Sequence, residues 1–257
     1  MLKHRLLFGT LMIIALVGLL LLGGKIDGTI SKDIPDKPIK GTIVCIILAA
    51  IAIPAVMETG KLVEKTGAKH FGVLVTFISI FMAVSWYLGQ FFEKNDFFGL
   101  LLLTCAAAIG FLCIIFYQAR VYAIDNVITN CSANLFTMFY LGFLGSFIPA
   151  IRIQWGLWAL MMFIFTVKFS DIGAYTIGKL FGKHRFSPRI SPGKTWQGLG
   201  GAVIFAVIVS VLFAEIFDIM SLLNSVIYGV VLGFCGQLAD LADVGAIVSR
   251  DPGLTSR

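Results

Sequence analysis

Charged residues are scarce in this sequence of 257 residues. Asp, Glu, Lys and Arg make up 13% of it and hydrophobic residues 58%, and the mean hydropathy is +0.95. Soluble domains carry about 25% charged residues, so this chain lacks the charge that would solvate the surface of a soluble protein. The composition excludes a soluble domain and indicates that much of the surface faces lipid.

Histidine and cysteine are also few. The three histidines, at positions 4, 70 and 184, are scattered along the chain, and the sequence has no C-x-x-C motif. The five cysteines lie mostly within or beside apolar runs: Cys45, Cys105, Cys113, Cys131 and Cys235. This pattern favours small apolar packing residues over a disulfide framework or a His/Cys metal site.

Long apolar runs dominate what remains. About 20 apolar residues in a helix cross a hydrocarbon core of about 30 Å, and the runs lack the alternation of barrel strands. Eight runs qualify: Leu6–Leu22, Gly41–Met57, Phe71–Phe91, Phe97–Phe116, Asn134–Ile151, Trp155–Phe169, Leu199–Phe217 and Leu222–Leu238. The predicted fold class is an all-α membrane protein, a polytopic bundle of about eight transmembrane helices with a polar loop on the cytoplasmic face. The first run also resembles a signal peptide, although a retained helix is favoured.

The distribution of Lys and Arg predicts the orientation. With the N-terminus in the cytoplasm, 13 of these residues fall inside and 6 outside, which agrees with the positive-inside rule. We therefore expect a multi-pass protein of the cell (inner) membrane, with its N-terminus and the polar loop 170–198 in the cytoplasm.

The loop 170–198 has the composition of an anion-binding segment. Glycine allows a close approach of the backbone, and the helix that opens near Thr195 presents its N-terminus to the same region. The cations of the loop are Lys179, Lys183, Arg185, Arg189 and Lys194. A phosphorylated ligand and an ordinary solvated loop of the cytoplasmic face both remain open.

Gly193-Lys194-Thr195 resembles the end of a P-loop. That motif requires a glycine where Pro188 stands, and it follows a β-strand. Since no strand is expected in a chain of membrane helices, we reject the P-loop interpretation.

Three acids near the membrane boundary are candidates for chemistry. Asp171 closes an apolar helix three residues after Lys168, and Asp240 and Asp243 share one helix face. Ionisable residues at membrane depth are costly and often functional, and paired carboxylates with phosphate oxygens are how Mg²⁺ is usually held. A Lys168–Asp171 pair and a solvated helix end are the structural alternatives.

The region from Asp171 to Gly201 resembles the phosphatidate cytidylyltransferase family, the CDP-diacylglycerol synthases. The matching segments, in chain order, are Asp171-Ile-Gly-Ala174-Tyr175, Gly178, Phe181-Gly182-Lys183-His184, Pro188-Arg189-Ile190-Ser191-Pro192, Lys194-Thr195-Trp196 and Gly198. Further on, Asp240-Leu241 and Asp243 resemble the family's Gly-Asp-Leu-x-Glu-Ser element.

The resemblance implies that CTP and phosphatidate give CDP-diacylglycerol and pyrophosphate, with Mg²⁺ as cofactor. It implies partners in CTP, phosphatidate and the lipid bilayer but no nucleic acid, and it leaves a homodimer open. The implied catalytic residues are Asp171, Lys194 and Asp240. The implied substrate-binding residues are Lys183, Arg185, Arg189, Ser191 and Thr195. The implied metal ligands are Asp171, Asp240 and Asp243. Tyr175 and Trp196 are better explained as interfacial anchors.

Some positions depart from the family pattern. Gly193 stands where the family usually has Lys, Gln197 where it has Glu, and Val244 where it has Ser. The family's Pro-Gly-His-Gly-Gly and Asp-Arg-x-Asp elements do not occur before Arg257. We therefore expect little or no cytidylyltransferase activity from these 257 residues. A fragment, a truncated gene product and a degenerate member remain open.

We interpret residues 1–257 as a single polytopic membrane domain. Residues 1–153 supply N-terminal helices that vary in the family, and residues 154–257 are the catalytic-type region, which we expect to be truncated. A CTP-dependent lipid kinase and, from another class, a membrane transporter are the alternative functions. A transporter would be expected to have inverted repeats and charged residues on several helices at the middle of the membrane. The polar residues here instead cluster on one face of the membrane.

Overall fold

The computed structural model describes residues 2–30, 39–92, 97–187 and 191–248. The chain forms two compact units, residues 1–157 and residues 158–257. The helices of the first unit are α1 (Leu2–Ile26), α2 (Thr42–Glu64), α3 (Gly72–Ala83), α4 (Ser85–Gly89), α5 (Phe97–Val121), α6 (Val127–Thr137) and α7 (Phe147–Gln154). The elements that follow are α8 (Gly156–Phe181), β1 (Arg185–Ser187), β2 (Ser191–Thr195), α9 (Trp196–Phe217) and α10 (Leu222–Val248).

The helices confirm an all-α, multi-pass membrane protein. Within the described ranges, six helices are long and apolar enough to cross a membrane: Thr42–Glu64, Phe97–Val121, Val127–Gln154, Gly156–Phe181, Trp196–Phe217 and Leu222–Asp240. Two shorter apolar helices, Leu11–Ile26 and Gly72–Ala83, overlap the other predicted runs. The predicted count of eight is therefore not confirmed.

The run Phe71–Phe91 is not one helix. It divides at Val84, whose backbone angles (φ −98°, ψ 3°) lie outside the α-helical region, and α3 and α4 flank the break. Hydropathy records only that this run is apolar and cannot detect a change of backbone direction. A π-helical segment, Met138–Phe143, likewise lies between α6 and α7.

Buried side-chain amides of α6 bind the backbone of the segment that precedes α3. The Oδ1 atom of Asn130 accepts from the Lys69 backbone N–H at 2.8 Å, and Oδ1 of Asn134 accepts from that of Phe71 at 2.8 Å. Gln118 of α5 accepts from Nδ2 of Asn130 at 3.1 Å. These polar groups are satisfied by one another, as burial in a low-dielectric interior requires.

His70 lies within the segment held by these amides. Its ring packs against α2 so closely that a Cβ at Gly60 would collide with it. Burial lowers the pKa of His70, while the negative charge of Glu64 and the side chain of Asn134 act in the opposite direction. The neutral imidazole is therefore favoured in the folded protein.

A buried ion pair joins two segments of the first unit that are far apart in the sequence. Nη2 of Arg152 in α7 lies 3.0 Å from Oδ2 of Asp27, and their side chains are 1% and 4% exposed. The same carboxylate accepts from the Gly41 backbone N–H at 2.8 Å, and Arg152 also donates to Oγ1 of Thr29 at 3.0 Å. Gly41 has φ 85°, a left-handed conformation that glycine adopts without steric cost.

In the second unit, α8, α9 and α10 pack through small residues. A Cβ at Gly173 of α8 would lie 2.5 Å from the carbonyl oxygen of Gly201 in α9. A Cβ at Gly233 of α10 would lie 2.9 Å from Cα of Val203. Ser170, which is fully buried, donates to the Gly233 carbonyl at 3.5 Å. Such close contacts are typical of membrane helices, whose association depends on packing.

Candidate active site

The predicted polar loop 170–198 is shorter than expected, because α8 continues to Phe181 and α9 begins at Trp196. Asp171 therefore lies inside α8 and does not close a helix, and the segment between the two helices contains a β-hairpin.

Strands β1 and β2 pair antiparallel, with Arg185 opposite Thr195 and Ser187 opposite Ser191. The expectation that the chain has no strand near Gly193-Lys194-Thr195 was therefore wrong, because these residues lie inside β2. A P-loop still does not result, since its Gly-Lys-Thr follows a strand and opens a helix.

The hairpin leads directly into α9, and Thr195 caps that helix. Its Oγ1 atom accepts from the Gly198 backbone N–H at 3.1 Å, which satisfies one of the unpaired donors of the first turn. The remaining N–H groups at the start of α9 give this end of the helix a partial positive charge. The helix therefore begins with a site that suits an anion.

Lys194 connects the hairpin to α10. Its Nζ atom lies 2.8 Å from Oδ2 of Asp240 and donates to the Gln237 carbonyl at 3.1 Å. Nε2 of Gln237 donates in turn to Oδ1 of Asp171 in α8 at 3.4 Å. A continuous series of polar contacts thus runs from α8 through α10 to β2.

These polar groups surround one cavity of about 360 Å³. Asp240 is more exposed than its partner, since the side chains of Lys194 and Asp240 are 17% and 57% exposed. The lining residues are Asp171, Ala174, Tyr175, Gly193, Lys194, Thr195, Gly198, Leu199, Gln237 and Asp240. An acid from each of two helices, an ammonium group and a helix N-terminus therefore meet at one opening.

The structure brings some of the predicted site residues together. Asp171, Lys194, Thr195 and Asp240 line the cavity. Lys183 and Arg185 are exposed at the start of the hairpin, and Ser191 begins β2; none of these three lines the cavity. Arg189 lies outside the described residues, as does the side chain of Asp243. The roles assigned to all of them stay predictions.

The glycines of the loop divide into two groups. Gly193 lines the cavity, and a Cβ there would meet nothing within 4 Å, so its backbone is open to a ligand. Gly178 and Gly182 instead face Thr195: a Cβ would lie 3.3 Å and 2.8 Å, respectively, from its Oγ1 atom. Their small size therefore serves the packing of the hairpin on α8.

The carboxylates suit a metal that is held together with a ligand. Among the described residues no group of three or more His, Cys, Asp or Glu side chains could hold a metal ion, so these residues provide no all-protein cage. Asp171 and Asp240 do provide two hard oxygen donors to the cavity. Mg²⁺ is usually held by one or two carboxylates together with substrate phosphates and water, and the donors present fit that arrangement.

Sequence reasoning missed Gln237. This residue is 6% exposed and contacts both Lys194 and Asp171. Its position in the sequence could have identified it as a site residue, because it is a polar residue near the end of an apolar run and lies one helical turn before Asp240. Gln197 was noted only as a departure from a pattern, although its side chain contacts the start of the hairpin.

Comparison with known proteins identifies the family of the chain. The model of the Cytidylyltransferase family matches residues 3–245, and the chain therefore belongs to that family. A phosphatidate cytidylyltransferase of Mycobacterium leprae is 30% identical over 132 residues, which are 51% of this chain and 42% of the relative. One of Staphylococcus epidermidis is 34% identical over 91 residues, 35% of each chain. An uncharacterized protein of Escherichia coli, YnbB, is 30% identical over 107 residues, 42% of this chain and 35% of the relative.

These comparisons confirm the resemblance found in the sequence. The chain covers 42% and 35% of the lengths of the two phosphatidate cytidylyltransferases. The family supports a nucleotidyltransferase that works at a membrane.

Proposed function

We propose that the site serves the transfer of a cytidylyl group from CTP to phosphatidate, which forms CDP-diacylglycerol and pyrophosphate. The observation that carries this proposal is the position of Lys194, whose ammonium group lies between Asp240 and the Gln237 carbonyl. Asp171 and the N-terminus of α9 line the same cavity. Two phosphate-bearing substrates must meet at such a site, one from water and one from the bilayer.

The reaction needs positioning and charge neutralisation rather than a covalent intermediate. A phosphate oxygen of the lipid forms a bond to the α-phosphorus of CTP, and the bond from that phosphorus to the bridging oxygen of pyrophosphate breaks. Negative charge then grows on the departing pyrophosphate, and fixed positive groups stabilise this charge.

Lys194 and α9 would supply that positive charge. An ammonium group has three donors, and the described contacts of Lys194 use two of them. One donor thus remains for a phosphate oxygen. The N-terminal end of α9, beside the open backbone of Gly193, would attract a second phosphate through its partial positive charge. Lys183, Arg185 and Arg189 would attract both substrates to the surface around the hairpin.

Mg²⁺ is proposed as the cofactor, held by Asp171 and Asp240 together with the triphosphate, and with Asp243 as a further candidate ligand. When bound it would neutralise phosphate charge and favour departure of pyrophosphate. Gln237 would orient Asp171, since its side-chain amide donates to that carboxylate. Mutation of a residue that orients a metal ligand typically lowers metal affinity or activity by about 10- to 100-fold.

The test uses the 257-residue chain in lipid nanodiscs that contain phosphatidate. Binding of CTP with Mg²⁺ is measured first, because it does not require turnover. Products are then followed from CTP labelled either on the α-phosphate or on the γ-phosphate. CDP-diacylglycerol carrying the α-label supports the proposal. Transfer of the γ-label to lipid supports a CTP-dependent lipid kinase instead, and no saturable binding of CTP contradicts both.

The proposed reaction requires the hairpin to face the cytoplasm, where CTP is found. The positive-inside count supports this orientation, and labelling of introduced cysteines tests it in a background without native cysteines. A cysteine at position 187, replacing Ser187, should resist a membrane-impermeant reagent added to sealed cells. A cysteine replacing Ser31, in the predicted outer loop, should react. The reverse pattern contradicts the orientation.

A further inference from the structure

Lys168 is an ionisable residue inside a membrane-spanning helix. It lies in α8, which is long and apolar enough to cross a membrane, and its side chain is exposed. Such residues are costly at membrane depth and usually have both a function and a partner. Among the described residues, however, none forms an ion pair or a hydrogen bond with its ammonium group. The pair with Asp171 that the sequence allowed is therefore not formed, and the ammonium group is available to a ligand.

A second cavity of the same unit is an apolar groove between α8 and α9, with a volume of about 500 Å³. Its lining residues in the described part of the chain are all apolar, and five are phenylalanines: Phe165, Phe169, Phe205, Phe213 and Phe217. Stacked rings join its two walls, since the ring centroids of Phe165 and Phe213 lie 5.5 Å apart. From Phe205 to Phe217 this phenylalanine groove follows about 18 Å of α9. These dimensions suit one hydrocarbon chain.

Helix geometry puts Lys168 between the groove and the cavity of the candidate site. Successive residues of an α-helix turn by about 100° and rise by about 1.5 Å. Phe165, Lys168 and Asp171 follow one another at every third position, so each lies about 60° from the one before it, always in the same sense. Phe165 lines the phenylalanine groove and Asp171 lines the cavity. Lys168 therefore lies between the two, on an exposed side of α8.

The groove leads away from the hairpin on both helices. In α8, which ends at the hairpin, Phe165 and Phe169 precede Asp171. In α9, which starts from the hairpin, Phe205 follows Leu199 of the cavity. A membrane lipid has the same polarity, with its phosphate in the headgroup region and its chains in the hydrocarbon core. A lipid phosphate at Lys168 would thus have the cavity on its polar side and the groove on its apolar side.

We propose that Lys168 binds the phosphate of phosphatidate, that the phenylalanine groove holds one of its acyl chains, and that both together present the phosphate to the cavity. This inference rests on the proposed function and names the lipid subsite of the same site. A phosphomonoester carries a charge of about −1.5 to −2 at pH 7, and the donors of an ammonium group can bind its oxygens. Asp171 alone would repel that anion. The positive charges of Lys168 and Lys194 both act on the Asp171 carboxylate and reduce this repulsion.

Photo-crosslinking tests the subsite without CTP or turnover. The full chain is placed in phosphatidylcholine nanodiscs with a small fraction of phosphatidate whose acyl chain carries a diazirine, and adducts are located by mass spectrometry. We expect adducts at Ile208, Leu212 and Ile216, exposed residues that line the groove. Ile204 is the matched reference, since it is an exposed residue of α9 that does not line the groove. Equal labelling of Ile204 and the groove residues would overturn the inference.

Variants of Lys168 test the role of its charge. Lys168→Met keeps an unbranched side chain without the ammonium group and should lower groove labelling by about tenfold or more, as loss of a hydrogen bond to a charged group predicts. Lys168→Arg keeps a cation and should retain most of the labelling, and Lys61→Met, in α2, should not change it. Unchanged labelling in Lys168→Met would overturn the inference. So would a loss of stability in SDS unfolding, because it would make Lys168 a structural residue.

Probes with other headgroups test whether the phosphomonoester is recognised. The same diazirine chain on phosphatidylglycerol, a phosphodiester of lower charge, should label the groove less than phosphatidate does. Equal labelling by the two probes would overturn the assignment to phosphatidate. Saturable CTP binding in nanodiscs separates this inference from the proposed function. Groove labelling without CTP binding would count against cytidylyl transfer and leave the lipid subsite in place, whereas CTP binding with even labelling would overturn the subsite alone.

Discussion

Each of the two units contains an ion pair with a similar distance between nitrogen and oxygen, but the two pairs differ in how deeply they are buried. Arg152 and Asp27 lie 3.0 Å apart with side chains 1% and 4% exposed, respectively. Lys194 and Asp240 lie 2.8 Å apart with side chains 17% and 57% exposed. The first pair is enclosed by further donors and acceptors, whereas the second lines an open cavity.

The difference shows that burial, and not the N–O distance, separates an ion pair that stabilises the fold from one whose members can bind a ligand instead of each other. Removing one member of a buried pair leaves an uncompensated charge in a low-dielectric interior. An exposed pair gains little, because water and salt screen it. Lys194 can therefore turn from Asp240 toward a phosphate at little cost, whereas Arg152 cannot leave Asp27. Four predictions test this comparison.

The largest effect is expected from Arg152→Met. The variant leaves the Asp27 carboxylate buried without its cation, and we expect the unfolding free energy to fall by about 3–5 kcal/mol. Unfolding of the purified protein in mixed micelles with increasing SDS measures it. The double variant Asp27→Asn, Arg152→Gln removes both charges and should lose less. A wild-type unfolding curve for Arg152→Met would show that the pair is dispensable.

Lys194→Ala should abolish nucleotide use while membrane insertion remains intact. Loss of a cation that stabilises phosphate charge should lower CTP binding or turnover by about 100-fold or more. Isothermal calorimetry of CTP binding in nanodiscs measures the effect, and Lys61→Ala, which removes an exposed lysine of α2, is the matched control. Normal use of CTP by Lys194→Ala would remove the basis of the proposed site.

A smaller loss of stability is expected on acidification. Burial lowers the pKa of His70 in the folded protein, so folding is unaffected by this group above the usual histidine range, near pH 6.5. As the pH falls through that value toward the lowered pKa of the folded state, the unfolded chain binds the proton more readily and stability is lost. Thermal unfolding between pH 8 and pH 5 should show this trend, and His70→Phe should show less of it. An identical pH dependence in both proteins would exclude His70 as its source.

The smallest effect on stability is expected from Asp240→Asn. Because the Asp240 side chain is 57% exposed, its ion pair should contribute no more than about 1 kcal/mol to folding. The same SDS titration measures this, and calorimetry should still record weaker CTP binding with Mg²⁺. A stability loss as large as that of Arg152→Met would mean that this pair too is structural.

Much of the second unit could be predicted because its determinants are local in sequence. The ordered pattern from Asp171 to Gly201 identified the segment that holds most of the site. Asp240 was identified by its place one helical turn before Asp243 and by the resemblance of Asp240-Leu241 to a family element. The structure brings Asp171, Lys194, Thr195 and Asp240 to one cavity. The hairpin was missed because a short pair of strands inside a glycine- and proline-containing loop leaves no apolar alternation.

The features that could not be predicted depend on contacts between distant residues. Asp27 and Arg152 are separated by 125 positions, and Arg152 entered the sequence argument only as one of the outer charges. Gln237 acts through its backbone carbonyl as well as its side chain, and a carbonyl has no sequence signature. The break at Val84 is a matter of backbone angles, which hydropathy does not record.

The close packing of Gly233 against α9 also constrains how the chain can change over evolutionary time. At about 100° per residue, Gly229, Gly233, Gln237 and Asp240 fall within about 80° of one side of α10. The glycines anchor that side to α9, and the polar residues continue it toward the cavity. Deleting one residue between Gly233 and Gln237 would rotate Gln237 and Asp240 by about 100° and draw them about 1.5 Å along the axis. Substitution of the exposed residues between them, Phe234 and Cys235, would leave this alignment intact, whereas a change in the number of residues would not.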